Sequence, residues 1–152
     1  MIYWLTGQPG SGKTTIAKAM VNRVGFAGNI FHVDGDDIRS LFDNKDYSEI
    51  GRRKNVELAQ QISQYLNDKG CDVVVSLVSP YKDQRDRFKE KMGKDILEIF
   101  VHTLEKRGRE DFFVKEYGEP TENFIDMPTD NISIMECVDK IFKSKHNEKN
   151  SR

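Results

Sequence analysis

The densest chemistry in this 152-residue chain lies in Gly7-Gln8-Pro9-Gly10-Ser11-Gly12-Lys13-Thr14. The run matches the phosphate-binding loop pattern G-x-x-x-x-G-K-[ST] at every fixed position. Such a loop works mostly through its backbone. Its glycines let successive N–H groups turn inward on a polyphosphate. A helix that starts at the loop adds its positive dipole end to the same site. Lys13 is placed to reach the β- and γ-phosphates, and the Thr14 hydroxyl to hold Mg²⁺. These residue types at this spacing predict a nucleoside triphosphate site.

A carboxylate cluster, Asp34-Gly35-Asp36-Asp37, follows the next apolar run, and Ser79-Pro80 follows the one after that. In open parallel sheets ligands sit at the carboxyl ends of strands, so all three segments are expected to converge. A carboxylate opposite Lys13 and Thr14 either helps to hold Mg²⁺ or takes the proton of an attacking hydroxyl. Asp34, at a strand end, is the better fixed candidate and Asp36 the second, whereas Asp37 reads as the cap of the following helix. Arg39, Arg52 and Arg53 flank the region, and a guanidinium suits an anionic acceptor because it donates to two oxygens at once. Arg53 reads equally well as a solvated helix residue. Tyr47 lies in the intervening loop, where it either stacks on a base or simply packs.

Alternating elements must position these groups. Strands are predicted at 2–6, 29–34, 71–78 and 96–101, with a short one at 124–127. The β-branched run in 71–78 suits a strand buried on both faces of a parallel sheet. Helical periodicity marks the segment after the loop through Ala17, Val21 and Val24, and a long helix over 51–69 through Val56, Ala59, Ile62 and Leu66. Residues 82–92 read as a charged, solvated helix. A capping box, Ser133-Ile134-Met135-Glu136, opens the last helix. Residues 104–117 are dense in charge and contain Phe112, Phe113 and Val114, which predicts a mobile helix or lid. The pattern predicts a three-layer α/β fold of the P-loop NTPase type, with a parallel β-sheet flanked by helices. One domain is expected over 1–144, with a lid at about 104–117 and a flexible tail over 145–152.

Composition narrows the class. A net charge of −1 argues against a nucleic-acid or membrane surface. No apolar run approaches the length that spans a bilayer. The two cysteines, Cys71 and Cys137, are too few for a disulfide framework and read as small core residues in a reduced, cytoplasmic setting. His32 and His102 have no partner at ligand spacing and read as packed or solvent-facing.

The ordered motifs resemble those of adenylylsulfate (APS) kinases. The resemblance runs from the phosphate loop through Val33-Asp34-Gly35-Asp36-Asp37-Ile38-Arg39, Tyr47-Ser48 with Arg52 and Asn55, and Ser76-Leu77-Val78-Ser79-Pro80-Tyr81 with Arg85. It continues through Tyr117-Gly118-Glu119-Pro120-Thr121-Glu122-Asn123 and Thr129-Asp130 into the last helix. It implies transfer of the γ-phosphate of MgATP to the ribose 3′-hydroxyl of adenosine 5′-phosphosulfate, as in sulfate assimilation. It further implies that Gly7, Gln8, Pro9, Gly10, Ser11, Gly12, Lys13, Thr14 and Thr15, with Arg107 and Arg109 from the lid, bind ATP. Lys13, Asp34 and Asp36 become the catalytic candidates, and Thr14 and Asp34 the Mg²⁺ side. Asp34, Arg39, Tyr47, Arg52, Asn55, Val78 and Ser79 become the acceptor site, with Tyr47 in the place of the family's base-stacking phenylalanine. Homodimers are common in that family, which makes one the expectation here by analogy.

Two departures fall where the resemblance puts the acceptor. The lid is shorter than the family's and lacks its second aromatic, for which Phe112 or Phe113 is the substitute. Glu57 and Leu58 replace paired arginines. The resemblance therefore leaves open a second acceptor, a cytidine diphosphoramidate, on which some relatives in capsule biosynthesis act. A sugar-acid kinase of the same fold would need no base-stacking aromatic, and a nucleotide binder without transfer activity would need no Asp34.

Overall fold

The computed structural model describes residues 1–150, and the side chains of residues 1–146. Five parallel strands form one sheet: β1 (Ile2–Thr6), β2 (Ile30–Asp34), β3 (Asp72–Ser76), β4 (Ile96–His102) and β5 (Phe124–Pro128). Their order is β2-β3-β1-β4-β5, which puts β1 at the centre. The helices are α1 (Lys13–Val24), α2 (Gly35–Leu41), α3 (Glu49–Asp68), α4 (Lys82–Met92) and α5 (Ile134–Asn150).

The central strand explains the layering. Its side chains alternate between faces, and all are apolar up to Thr6. Tyr3 and Leu5 join Ile16 and Met20 of α1 and Val138 and Ile141 of α5 in one buried cluster. Ile2 and Trp4 join Val56 and Ala59 of α3 and Phe88 of α4 in the other. Trp4 meets Phe88 edge-on, with ring centroids 5.3 Å apart. Each fully buried side chain of this size contributes about 1.5–3 kcal/mol. A strand apolar on both sides must lie between two helical layers, so the phosphate loop emerges from the middle of the carboxyl edge.

The capping box forms as expected: Ser133 N donates to Glu136 Oε2 (2.8 Å) and Glu136 N to Ser133 Oγ (3.1 Å). Four local expectations change. α2 is capped by Asp34, whose Oδ1 takes the Asp36 N–H at 2.9 Å, and not by Asp37, which lies in its first turn. The backbone of residues 145–150 continues α5 where a tail is expected; Lys145 Nζ reaches Asp72 Oδ2 at 3.1 Å and Phe142 packs edge-on against Tyr3. Residues 151 and 152 of the expected tail lie outside the described residues. The charged helix α4 is not simply solvated, since it buries Arg85 and Phe88. Residues 104–117 hold one short 3₁₀ turn, Glu110–Phe112, and no α-helix.

That lid segment is pinned at both ends. The Asp130 carboxylate accepts from Thr103 Oγ1 (2.7 Å) and the Leu104 and Glu105 amides. At the far end the Gln8 side chain donates to Val114 O (2.8 Å) and accepts from Val114 N (2.9 Å), an amide-to-backbone pair like one rung of a sheet.

Candidate active site

The phosphate loop folds as its motif requires, with Gly10 and Gly12 at φ +81° and +106°, in the left-handed region open to glycine. Lys13 is buried, and its Nζ donates to Gln8 O (2.8 Å) and Ser11 Oγ (3.3 Å). Burial pushes its ammonium down to about 8; Asp34 and Asp36 oppose that shift and Arg109 adds to it.

Across the loop, Asp34 Oδ2 accepts from Thr14 Oγ1 (2.9 Å) and Ser76 Oγ (2.8 Å). Burial alone would raise the Asp34 pKa. The hydrogen bonds from Ser76, the Asp36 amide and Thr14 outweigh it and hold the carboxyl below its ordinary range. Asp34 is therefore charged at neutral pH, beside a hydroxyl and opposite an ammonium. Asp36 lines the same cavity from the first turn of α2, exposed and less constrained.

These groups open into a cavity of about 730 Å³. Arg39, Tyr47, Arg52 and Asn55 line it from the α2–α3 side, Val78 and Ser79 from the segment after β3, and Arg109, Phe112 and Phe113 from the lid. The predicted acceptor residues thus converge in one place, and both lid phenylalanines face them. Asn55 Nδ2 donates to Gly35 O at 3.2 Å. Ser79 adopts φ +45°, rare for a residue with a Cβ, and Arg85 Nη1 donates to its carbonyl at 2.6 Å.

Several expected residues stand differently. The Arg39 guanidinium donates to Asn44 O (3.0 Å) and Asp46 O (2.9 Å) and lies 4.0 Å from the centroid of the Tyr47 ring. It braces the loop that presents Tyr47, which is 61% exposed. Arg107 does not line the cavity. It straps the outer side of the phosphate loop by donating to Ser11 O (3.2 Å), Thr129 O (3.1 Å) and Glu105. Arg109 does line the cavity, close to Gly10, where an added Cβ would lie 3.0 Å from the Arg109 Cβ. Arg53 pairs with Glu49 and Asp83 away from the cavity. Glu57 is exposed on α3 and Leu58 packs against the core, so neither replacement for the family's paired arginines lines the cavity.

Sequence reasoning missed two supporting networks. Arg85 is 2% exposed and donates to Glu98 Oε1 (2.7 Å), to Ser79 O and to Gly118 O. Lys89 Nζ reaches the other Glu98 oxygen at 2.5 Å. A lone glutamate among the apolar residues of β4 was the legible signal. The second network joins His32 to Ser76, Nε2 to Oγ, at 2.7 Å. Burial lowers the His32 pKa against the pull of Asp34 and Asp37, so the ring is neutral at pH 7. Its two-residue offset from Asp34 on one strand was the available clue. His102 ends β4 on the surface, 2.6 Å from Asp126 Oδ1. No group of three or more metal-ligating side chains occurs among the described residues.

The phosphate loop on the central strand, a charged carboxylate opposite it and a second pocket beyond make this a P-loop kinase in architecture. The adenylylsulphate kinase family model matches residues 1–115, and the chain belongs to that family. It is thus a phosphotransferase with a hydroxyl acceptor. The chain is 27% identical to an adenylyl-sulfate kinase of Clostridium kluyveri over 93% of its own length and 81% of that protein's. It is 30% identical to a cytidine diphosphoramidate kinase of Campylobacter jejuni over 82% and 75%. An APS kinase of Mycobacterium tuberculosis, solved with AMPPNP and APS, shares the fold at a TM-score of 0.81. That match covers 93% and 95% of the two chains at 22% identity.

Proposed function

We propose that this chain transfers the γ-phosphate of MgATP to the ribose 3′-hydroxyl of a small nucleotide, with adenosine 5′-phosphosulfate the first candidate. Two buried atoms in the cavity wall carry the reading. Asn55 Oδ1 and Ser79 Oγ have no partner among the described residues. Because Asn55 Nδ2 already faces Gly35 O, Oδ1 is fixed as an acceptor and needs a donor from a ligand. A buried orphan of this kind costs about 1–3 kcal/mol, which a ribose hydroxyl would relieve.

Each cavity group then has a task. Lys13 and the loop amides draw the β- and γ-phosphates into line. Thr14 Oγ1 and Asp34 Oδ2, two oxygens 2.9 Å apart with the carboxylate kept charged, fit a hard cation and would hold Mg²⁺. When bound, that ion neutralises charge on the transferred phosphoryl group. Asp34 also faces the cavity as the base for the attacking hydroxyl, with Asp36 behind it. Arg52, which lines the cavity, meets the acceptor's anionic end. Tyr47 on one side and Phe112 or Phe113 on the other offer ring faces to its base. Arg109 serves the ATP phosphates from the lid, whereas Arg107 supports the loop from outside. No helix among the described residues is long and apolar enough to cross a membrane, and we assign the reaction to the cytoplasm.

The Campylobacter jejuni relative supports a second acceptor, a cytidine diphosphoramidate. Both acceptors carry a ribose, so the unpartnered Asn55 Oδ1 and Ser79 Oγ serve either reading. ADP release with MgATP against APS, a cytidine diphosphoramidate, plain nucleotides and sugar acids tests both. Turnover with APS supports the first reading and turnover with the amidate alone the second. Turnover only with sugar acids, or with none of the panel, refutes nucleotide phosphorylation.

A further inference from the structure

Asp34 is not held by Thr14 alone. Its Oδ2 also takes the Ser76 hydroxyl, and Ser76 Oγ lies 2.7 Å from His32 Nε2. A hydroxyl has one proton. Ser76 gives that proton to the carboxylate, which has none to offer, so toward His32 its oxygen can only accept. The histidine must therefore be the donor, with its proton on Nε2. Direct contact between His32 Nε2 and Asp34 Oδ2 is 3.8 Å, beyond hydrogen-bond range, so the link passes through Ser76.

The sheet builds this relay. Asp34 and Ser76 are register partners on β2 and β3, and His32 precedes Asp34 by two residues on the same strand face. Both strands end at the site, with their backbones fixed by parallel pairing. The His32 and Asp34 side chains are 17% and 14% exposed, so little water competes for the donors.

We propose that His32 is a positioning residue for Asp34, acting through the Ser76 hydroxyl. The Nε2–H group locks the Ser76 hydroxyl with its proton toward Asp34 Oδ2, which keeps the carboxylate in the rotamer that faces Thr14 and Lys13. Without His32 the hydroxyl is free to rotate, and Oδ2 loses one of its two side-chain donors for part of the time. This inference rests on the reading of Asp34 as the catalytic carboxylate. Partners at this remove typically change activity by about 10–100-fold.

Two measurements test it, one of them independent of turnover. Nitrogen-15 spectra of the imidazoles, assigned with His32→Gln, are expected to show His32 as the Nε2–H tautomer. In His32→Leu the Asp34 carboxyl carbon-13 resonance is expected to move at fixed pH. An Nδ1–H tautomer or an unmoved Asp34 resonance overturns the proposal. In steady-state kinetics His32→Leu is expected to lower kcat about tenfold or more while KM for ATP and for the acceptor stays within about twofold. His32→Gln restores most of that loss, because its carboxamide again offers an N–H donor. Adding His32→Leu to Ser76→Ala costs nothing further, since the path is already cut. A full second loss in the double variant, no rescue by glutamine, or a rise in KM matching the fall in kcat overturns the proposal. If the wild-type chain turns over no acceptor, the functional reading fails, and the tautomer and Asp34 resonance still decide the relay.

Discussion

Raising the pH from 7 towards 9 is expected to weaken binding of MgATP, and Lys13 is the reason. In the free chain its ammonium titrates at about 8, because burial removes it from water faster than Asp34 and Asp36 compensate. A bound polyphosphate puts several negative charges against the same ammonium and raises its pKa again. The bound form therefore holds the proton more tightly than the free form, and affinity is lost as pH rises through the free-chain value. One unit above that value, at about pH 9, some nine-tenths of the free chain has a neutral lysine. Binding must then recover a proton at about 1.4 kcal/mol, close to a tenfold rise in Kd. The last proton of a phosphate leaves near pH 6, so the ligand itself adds little to the slope. Calorimetric titration with Mg²⁺ and a non-hydrolysable ATP analogue, in two buffers of different ionisation enthalpy, reads both the affinity and the proton taken up. Lys13→Met should bind more weakly and show neither effect. A flat Kd with no proton uptake in the wild-type chain would refute the reasoning. On the free chain the sign reverses. The unfolded lysine, near 10.5, binds more protons than the folded one between about pH 8 and 10, so this group's contribution to stability rises with pH there.

Asp34→Asn keeps the shape of the carboxylate but removes its charge, and kcat is expected to fall by about 10²–10⁴-fold with a far smaller change in ATP affinity. Near-normal turnover would remove Asp34 from the chemistry. Arg85→Ala leaves Glu98 buried with only Lys89 beside it, which should cost about 3–5 kcal/mol in urea unfolding; a loss under about 1 kcal/mol would contradict the buried network. The double variant Phe112→Ala with Phe113→Ala should raise KM for the acceptor about fivefold or more and leave KM for ATP nearly unchanged, since stacking on a base is worth about 1–3 kcal/mol. Equal effects on both substrates would place the phenylalanines elsewhere in the cycle. Gly7→Ala should lower the melting temperature and be destabilising by about 1–3 kcal/mol, because a Cβ there would fall 2.0 Å from the Val101 carbonyl oxygen.

What was legible in the sequence was local. The phosphate loop, its strand and its helix follow from spacing over a few residues, and the capping box at Ser133 formed as written. The unbroken apolar run of β1 marked a buried strand, and side chains on both its faces call for a helical layer on each. Spacing did not reveal which polar groups would meet. Asp34 took the cap of α2 from Asp37 because its strand ends one residue before the helix begins. Arg107, expected among the phosphates, met carbonyls of Ser11 and Thr129 instead. Lys145, where the tail is expected to begin, pairs with Asp72, 73 positions earlier. The relay from His32 to Ser76 spans 44 positions and exists only because β2 and β3 pair in one register. Helix and strand periods are written along the chain itself, so residue types alone announced the class of site. Hydrogen-bond partnerships depend on distances of a few tenths of an ångström between segments far apart in sequence, and only the packed sheet sets those distances.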